Sequence, residues 1–188
     1  GNLAYQEERR EELVGGKVVM MAPASSNHNR IAGNIYYIFR RYLNGKKCEP
    51  FADGENVYLT DCDHFVPDFM VVCDPDKIKR DGATVRRGDS FTQHAKNDKT
   101  HKKDVYARCG VREYWIVHPE EKSVDVYRTN GSEFVLHDVY GLYPDWQLAQ
   151  MSEEEQAAIV THFKCSLFDD LDISLEDIFY RSSENENP

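Results

Sequence analysis

The chain has 188 residues, of which 40% are hydrophobic and 12% aromatic, and its formal net charge is −10. This length supports one good core and is short for two, so we expect one domain over residues 1–180 and a disordered tail at 181–188. A strongly acidic chain is unsuited to being a general nucleic-acid coat protein. No stretch approaches the roughly 18 consecutive apolar residues of a membrane span, and the N-terminus lacks a signal-like apolar core. We therefore expect a cytoplasmic protein without membrane association.

The charge is unevenly distributed. Residues 151–188 hold ten acidic and two basic residues, whereas the segment 77–103 is rich in lysine and arginine. A polyanion could dock on the basic segment, but a solvated surface of an acidic protein would have the same composition.

The cysteines are odd in number, widely spaced and form no CxxC pair. This pattern favours reduced thiols over a zinc site or a disulfide framework. The five are Cys48, Cys62, Cys73, Cys109 and Cys165.

The first half of the chain predicts two helices and four strands. Glu- and Arg-rich residues before Gly15-Gly16 indicate a helix with a glycine C-cap, and residues 25–45 combine N-capping residues with apolar side chains at helical spacing. Strands are predicted where apolar runs are bounded by turn residues. The helices are 3–13 and 25–45, and the strands are 17–24, 48–52, 56–60 and 65–74, the last being the most apolar and the expected centre of the sheet.

The second half predicts a helix, a hairpin and a third strand. Asn97 or Asp98 would cap the helix and Gly110 would end it, and shorter helical patterns follow in the tail. The predicted elements are the helix 97–110, the strands 112–119, 123–129 and 133–140, and helical segments within 152–163 and 174–180. The order of elements predicts an α/β or α+β fold with a mixed β-sheet flanked by helices.

Asp68, in the sequence "VPDF", is the leading candidate for chemistry. A carboxylate at the start of an apolar strand is costly unless a cation or hydrogen-bond donors compensate it, although an edge-strand aspartate facing water remains an alternative. Mg²⁺ binds through one or two carboxylates and keeps several waters. Phosphodiester cleavage also uses a cation against the developing charge, for which Lys99, Lys102 and Lys103 all remain candidates by spacing.

Several blocks resemble the Uma-type restriction endonucleases, a branch of the PD-(D/E)xK nuclease-like superfamily. The resemblance extends over residues 5–180 and implies a restriction-endonuclease-like fold, Mg²⁺ or Mn²⁺ as cofactor and DNA as substrate. We also expect a homodimer, for which the acidic tail and the aromatic hairpin could provide contacts. The blocks are "REELVGGKVVMMAPAS", "NHNRIAGNIYYIFRRYL", "VPDFMVV", "DKTHKKDVYARCGVREYWIVHP" and "VDVYR".

The resemblance assigns roles to individual residues. Asp68 matches the metal-binding aspartate, Glu12 matches a glutamate near the metal, and Lys102 matches the catalytic lysine. His28 falls at a position often held by His or Gln, for which a structural role is the simpler interpretation. His118 stands where relatives carry Asp, and we expect little consequence from this change in a hairpin.

The segment "ATVRRGDSFTQH" departs from the family. Relatives have a strand of the type "APxVVEILSPST" whose Glu is a second metal ligand, and that position is Gly88 here. Asp89 would point to the opposite face of a strand and could not replace it. Codons that encode residues 84–94 can be chosen so that, read one base later, they encode "PFVVEILSPST". We hypothesise two compensating frameshifts, which resequencing would test.

Three functions follow from these observations. The first is a Mg²⁺-dependent DNA endonuclease, impaired if Gly88 is the true residue. The second is an inactive nuclease-fold protein that binds nucleic acid or protein, and the third is a structural homodimer module.

Overall fold

The structure is a computed structural model that describes residues 10–79, 82–84 and 98–182. Within these residues the longest helices are the ones that the sequence predicts, near 25–45 and 97–110. The helices are α1 (Ser26–Leu43), α2 (Asp98–Arg108), α3 (Asp145–Leu148), α4 (Glu153–Ala157) and α5 (Leu175–Ile178), with a 3-10 turn at Pro75–Lys77. The first seven strands are β1 (Glu11–Val14), β2 (Lys17–Met20), β3 (Glu49–Ala52), β4 (Val57–Thr60), β5 (Asp63–Phe65), β6 (Phe69–Val72) and β7 (Ile78–Lys79). The remaining strands are β8 (Gly82–Thr84), β9 (Glu113–His118), β10 (Ser123–Thr129), β11 (Phe134–Gly141), β12 (His162–Phe163) and β13 (Ile173–Ser174).

An N-cap, buried residues at helical spacing and a terminal glycine define α1, as its sequence predicts. The Ser25 hydroxyl accepts a hydrogen bond from the backbone N–H of His28 at 3.1 Å, which satisfies a free donor of the first turn. Ile31, Ile35 and Ile38 recur at helical spacing and are buried. Gly45 follows with a positive φ of 76°, which ends the helix.

The largest sheet has the strand order β2-β1-β5-β4-β8-β7. It is mixed, because β4 and β8 are parallel and the other neighbours are antiparallel. The prediction of a helix over 3–13 is wrong for residues 11–13, which belong to β1, and residues 3–9 lie outside the described residues. Gly15 and Gly16 have φ values of 55° and 78° and form the two-residue turn of the β1–β2 hairpin, a conformation that glycine adopts without strain.

The hairpin and third strand predicted after α2 are confirmed. β9, β10 and β11 form an antiparallel sheet with β10 in the centre. Val124 and Val126 of β10 are fully buried, whereas β11 is mostly exposed. This sheet therefore packs one face against the core.

β6 pairs with β3 in a short antiparallel sheet, and β3 is its only strand partner among the residues that are described. Residues 85–97 lie outside the described residues, so the prediction that β6 lies at the centre of a sheet is not tested on that side. The position therefore stays a prediction.

Two hydrophobic clusters hold these elements together. One lies between α1, β10 and the C-terminal residues from Phe163 to Phe179. The other joins β1, β4 and β5 to α2. Asn34 of α1 also donates to the carbonyls of Ile178 and Tyr180 at 2.9 Å, so the C-terminal segment is fixed to α1. Within the described residues, the helix predicted in 152–163 is confined to α4, since His162–Phe163 pair instead with β13.

The prediction that all cysteines are free thiols is wrong for Cys48 and Cys73, which form a disulfide. The β3–β6 register pairs Glu49 with Val72, so these two cysteines occupy the next cross-strand position and their Cα atoms are 4.0 Å apart. Cys62, Cys109 and Cys165 remain thiols, as predicted. The sequence could not reveal the pair, because the register of two strands 25 residues apart is not visible in the cysteine spacing.

None of the helices in the described part of the chain is long and apolar enough to cross a membrane. The predicted C-terminal tail is described only as far as Ser182, and residues 183–188 lie outside the described residues.

Candidate active site

Glu12 and Lys102, predicted as site residues, are in contact. Glu12 is one of the few buried charged residues of the described chain, with 5% of its surface exposed. Its Oε1 accepts a hydrogen bond from the backbone N–H of Val66 at 2.8 Å, and its Oε2 accepts one from the Lys102 ammonium. Both oxygens of a buried carboxylate are thus compensated, which is what its burial requires.

The local structure explains why these two side chains meet. Glu12 and Val14 are two residues apart in β1 and therefore lie on the same, inner face of the strand, so both side chains point toward α2. Lys102 precedes Tyr106 by four residues and shares its helix face, and Tyr106 is buried in the same cluster. Packing of α2 on this core therefore places the lysine over the buried carboxylate.

Asp68 lies between β5 and β6 and is more accessible, with 56% of its side chain exposed. Its Oδ1 is 3.0 Å from Nε2 of His28, at the start of α1. His28 therefore has a definite partner, which fits the structural role expected for it and also orients the Asp68 carboxylate.

Tyr106 and Tyr114 connect the two carboxylates. Burial raises the pKa of both phenols, and the negative charges of Glu12 and Asp68 raise the pKa of each further. Both carboxylates thus act on the same two rings. Glu12 and Lys102 are in direct contact, and the Val66 N–H that donates to Glu12 lies two residues before Asp68 in the chain.

Asp53 carries an unsatisfied polar atom that the sequence did not reveal. It follows Ala52, the last residue of β3, whose partner Phe69 is the residue after Asp68. Oδ2 of Asp53 contacts the Arg10 guanidinium, whereas Oδ1 is buried and has no hydrogen-bond partner in the part of the chain that is described. In the sequence this aspartate, which precedes Gly54, has the appearance of an ordinary turn residue.

A second group of polar residues fixes α2 to the hairpin. Asp63 is buried and accepts hydrogen bonds from the Gly15 backbone N–H at 2.8 Å, from the Thr60 hydroxyl at 2.8 Å and from the His101 ring at 2.7 Å. Burial alone would raise the pKa of Asp63, but these hydrogen bonds outweigh it and the pKa is lowered from its ordinary value. Because His101 adjoins Lys102, this contact holds the helix turn that carries the lysine.

The other candidates from the sequence are placed as follows. Lys103 lies over the Tyr127 ring with its ammonium 4.3 Å from the ring centre, away from Glu12. His118 contacts Asp125 at 3.0 Å within the β9–β10 hairpin. Nothing is described for the Lys99 side chain, and Gly88 lies outside the described residues.

The arrangement of helices and strands defines the class of protein. A crystal structure described as "a putative nuclease belonging to DUF820" from Anabaena variabilis matches 92% of this chain and 90% of its own, with a TM-score of 0.59. At 18% sequence identity, this likeness shows a shared nuclease-like α+β fold.

The family follows from the sequence itself. The family model of Uma2, described as "Putative restriction endonuclease", matches residues 2–158, and the chain therefore belongs to this family. A relative from Synechocystis, "Uncharacterized protein sll1609", is 26% identical over 74 residues, which are 39% of this chain and 42% of that protein. The chain thus matches less than half the length of that relative.

Proposed function

We propose that the chain is a metal-dependent DNA endonuclease of the PD-(D/E)xK type, acting through Glu12, Asp68 and Lys102. The observation that carries the proposal is the buried contact of Glu12 with Lys102, since Glu12 also accepts a hydrogen bond from the backbone of Val66, two residues before Asp68. A buried ion pair is often no more stabilising than apolar side chains of similar volume, so its presence beside an exposed carboxylate favours a functional role. Membership of the Uma2 family supports DNA as the substrate.

The donor set fits a hard divalent cation such as Mg²⁺ or Mn²⁺. Asp68 offers an accessible carboxylate, and Oδ1 of Asp53, just after the last paired residue of β3, has unused hydrogen-bonding capacity. No three His, Cys, Asp or Glu side chains form a metal-binding group in residues 10–79, 82–84 and 98–182. Mg²⁺ does not require such a group, because it keeps several waters and binds one or two carboxylates together with substrate phosphate.

Asp68 would hold the ion, with Glu12 or Asp53 as the further carboxylate. A bound ion supplies Lewis acidity to a phosphoryl oxygen and lowers the pKa of a water. The remaining work belongs to the protein. Lys102 places a positive charge where negative charge develops on the phosphate, and Glu12 orients its ammonium. His28 orients Asp68.

We also propose that catalysis is impaired as long as position 88 is glycine. The family strand carries its second metal-binding glutamate there, and a site with one carboxylate fewer holds its metal more weakly.

Plasmid nicking in Mg²⁺ or Mn²⁺ tests the proposed activity. The wild-type chain should nick supercoiled DNA, and Asp68→Ala should abolish the metal-dependent part. Glu176→Ala, which removes an exposed carboxylate on α5, is the matched control and should keep wild-type activity. Nicking that survives Asp68→Ala removes Asp68 from the metal site.

A second function is favoured by Gly88 itself. Without the second carboxylate, the chain would be a nuclease-fold homodimer that binds nucleic acid or protein without cutting. A gel shift that weakens with salt, without cleavage in either metal, would support this alternative, and sedimentation would give the oligomeric state.

A further inference from the structure

The outward face of α1 and the turn after it form a basic stripe in an acidic protein. Residues 26–47 contain five basic side chains and no Asp or Glu, although the whole chain carries a net charge of −10. The basic residues are Arg30, Arg40, Arg41, Lys46 and Lys47.

The stripe follows the geometry of the helix. At about 100° per residue, Arg30, Tyr37 and Arg41 fall within about 40° of arc, on the side opposite to Ile35 and Phe39. The two arginines are exposed, and Tyr37 has 63% of its surface exposed. The Arg41 guanidinium lies 5.7 Å from the centre of the Tyr37 ring. Positive charge and an aromatic ring are thus presented together along one line.

These arginines have no acidic partner in the described chain. Ion pairs involve Arg10, Lys102 and Arg128, but within residues 10–79, 82–84 and 98–182 no carboxylate lies within 4.0 Å of Arg30, Arg40 or Arg41. Among the described residues, the positive charges of these three arginines are therefore not paired with a carboxylate. Their positive potential is available to an external anion.

Gly33 lies on the same face, between Arg30 and Tyr37. Glycine lowers helix stability relative to alanine, and a Cβ at this position would meet no atom of the described residues within 4 Å. Packing of the described chain therefore does not require a glycine at position 33. A glycine here lets an external group approach the helix backbone closely.

We propose that this face of α1 binds the phosphate backbone of duplex DNA that flanks the cleaved segment. From Arg30 to Arg41 the helix rises about 16 Å, which corresponds to roughly five base pairs at about 3.4 Å each. His28 and Asp68 lie at the first turn of α1 on the inward side, so the stripe contacts DNA beyond the scissile phosphate. The proposal rests on DNA being the substrate, as proposed above.

Fluorescence anisotropy with a labelled 30-base-pair duplex in EDTA measures binding without cleavage. The variant Arg30→Gln/Arg40→Gln/Arg41→Gln removes three charges from the stripe. The control Lys17→Gln/Lys79→Gln/Arg112→Gln removes three exposed charges from the β2, β7 and β9 regions. Each phosphate contact contributes about 0.9 to the slope of log K against log salt, so the stripe variant should lose up to about 2.7 of that slope and at least about tenfold in affinity. The control should lose markedly less of both.

Gly33→Leu keeps every charge and should also weaken DNA binding, while Gly33→Ala should raise the melting temperature. Circular dichroism and urea unfolding confirm that each variant is folded before its affinity is compared. Equal losses in the stripe variant and the control, or wild-type affinity in the stripe variant and in Gly33→Leu, would overturn the proposal.

The outcomes separate this proposal from the proposed catalysis. Loss of binding in the stripe variant with no cleavage by the wild type supports the DNA-binding face and refutes the nuclease activity. Cleavage by a chain that shows no stripe-dependent binding supports the nuclease and overturns the face. A stripe variant that dissociates an oligomer but binds DNA as the wild type does would assign the face to a second copy of the chain, and so would also overturn the proposal.

Discussion

Removal of the Lys102 ammonium should expose the energetic role of its contact with Glu12. Lys102→Met leaves the Glu12 carboxylate buried with only the Val66 N–H as its partner. Breaking a buried ion pair in this way costs about 3–5 kcal/mol when both groups are buried. A quarter of the Lys102 side chain is exposed, so we expect the low end, about 3 kcal/mol.

Substitution of the other partner, Glu12, should lower the free energy of unfolding by less. Glu12→Gln keeps an oxygen for the Val66 N–H and leaves an ammonium that reaches water, at a cost of about 1–2 kcal/mol. The double variant contains no unpaired charge, so its loss should fall below the sum of the single losses by about 2 kcal/mol.

Urea unfolding of the wild type, both single variants and the double variant gives this coupling energy directly. Lys103→Met is the matched control on α2, and should lose no more than about 1 kcal/mol because its ammonium lies over Tyr127 and contacts no buried carboxylate. A coupling energy below about 0.5 kcal/mol would refute the ion pair as the reason for the burial of Glu12.

Three further predictions concern the framework around the site. Asp63→Ala should lower the free energy of unfolding by about 2–3 kcal/mol, because three donors lose their acceptor. Because the folded pKa of Asp63 is lowered, the carboxylate stabilises the protein above its unfolded pKa of about 3.9, and this stabilisation is lost as the pH falls through the folded pKa. If the difference in unfolding free energy between wild type and variant stays constant in acid, this reasoning is wrong. Gly33→Ala should stabilise the chain by about 0.5–1 kcal/mol in urea unfolding, and a loss would mean that packing requires the glycine. Reduction of the Cys48–Cys73 disulfide should cost about 3 kcal/mol, whereas reductant should leave Cys73→Ser unchanged; an equal response of both proteins would exclude the disulfide as the cause.

The sequence predicts the elements whose signals are local. α1 has a cap, an apolar period and a terminal glycine, and the β9–β10 hairpin has alternating residues between turns; both are present. The strand at Glu11–Val14 was missed because Glu and Arg favour helices. The Gly15-Gly16 pair forms the hairpin turn, but two glycines at this place in the sequence are equally consistent with the end of a helix.

The site depends on contacts that spacing does not encode. Spacing left Lys99, Lys102 and Lys103 equal, and only the resemblance selected Lys102, which is the lysine whose ammonium contacts Glu12. The place of Asp53 next to the Ala52–Phe69 pair depends on the register of β3 and β6, and no local pattern specifies it. Long-range register therefore limits what can be predicted about this site from the sequence alone.

We propose that the sequence of segment 84–94 determines how much of the proposed activity the chain retains. β8 ends at Thr84 and runs parallel to β4, so the chain enters this segment as a strand of the large sheet. A strand continuing from there would carry position 88 on the same face as Thr84 and position 89 on the opposite face, which is why Asp89 cannot take the place of a glutamate.

Replacement of residues 84–94 by "PFVVEILSPST" should restore the second carboxylate. We expect nicking in Mg²⁺ to rise by about 10²-fold, the effect of one charged group in an active site. The same replacement with glutamine instead of glutamate isolates the carboxylate from the restored apolar strand. A gain that is equal in both replacements would mean that the strand acts through folding, whereas a gain that requires the glutamate would make position 88 a metal-binding position.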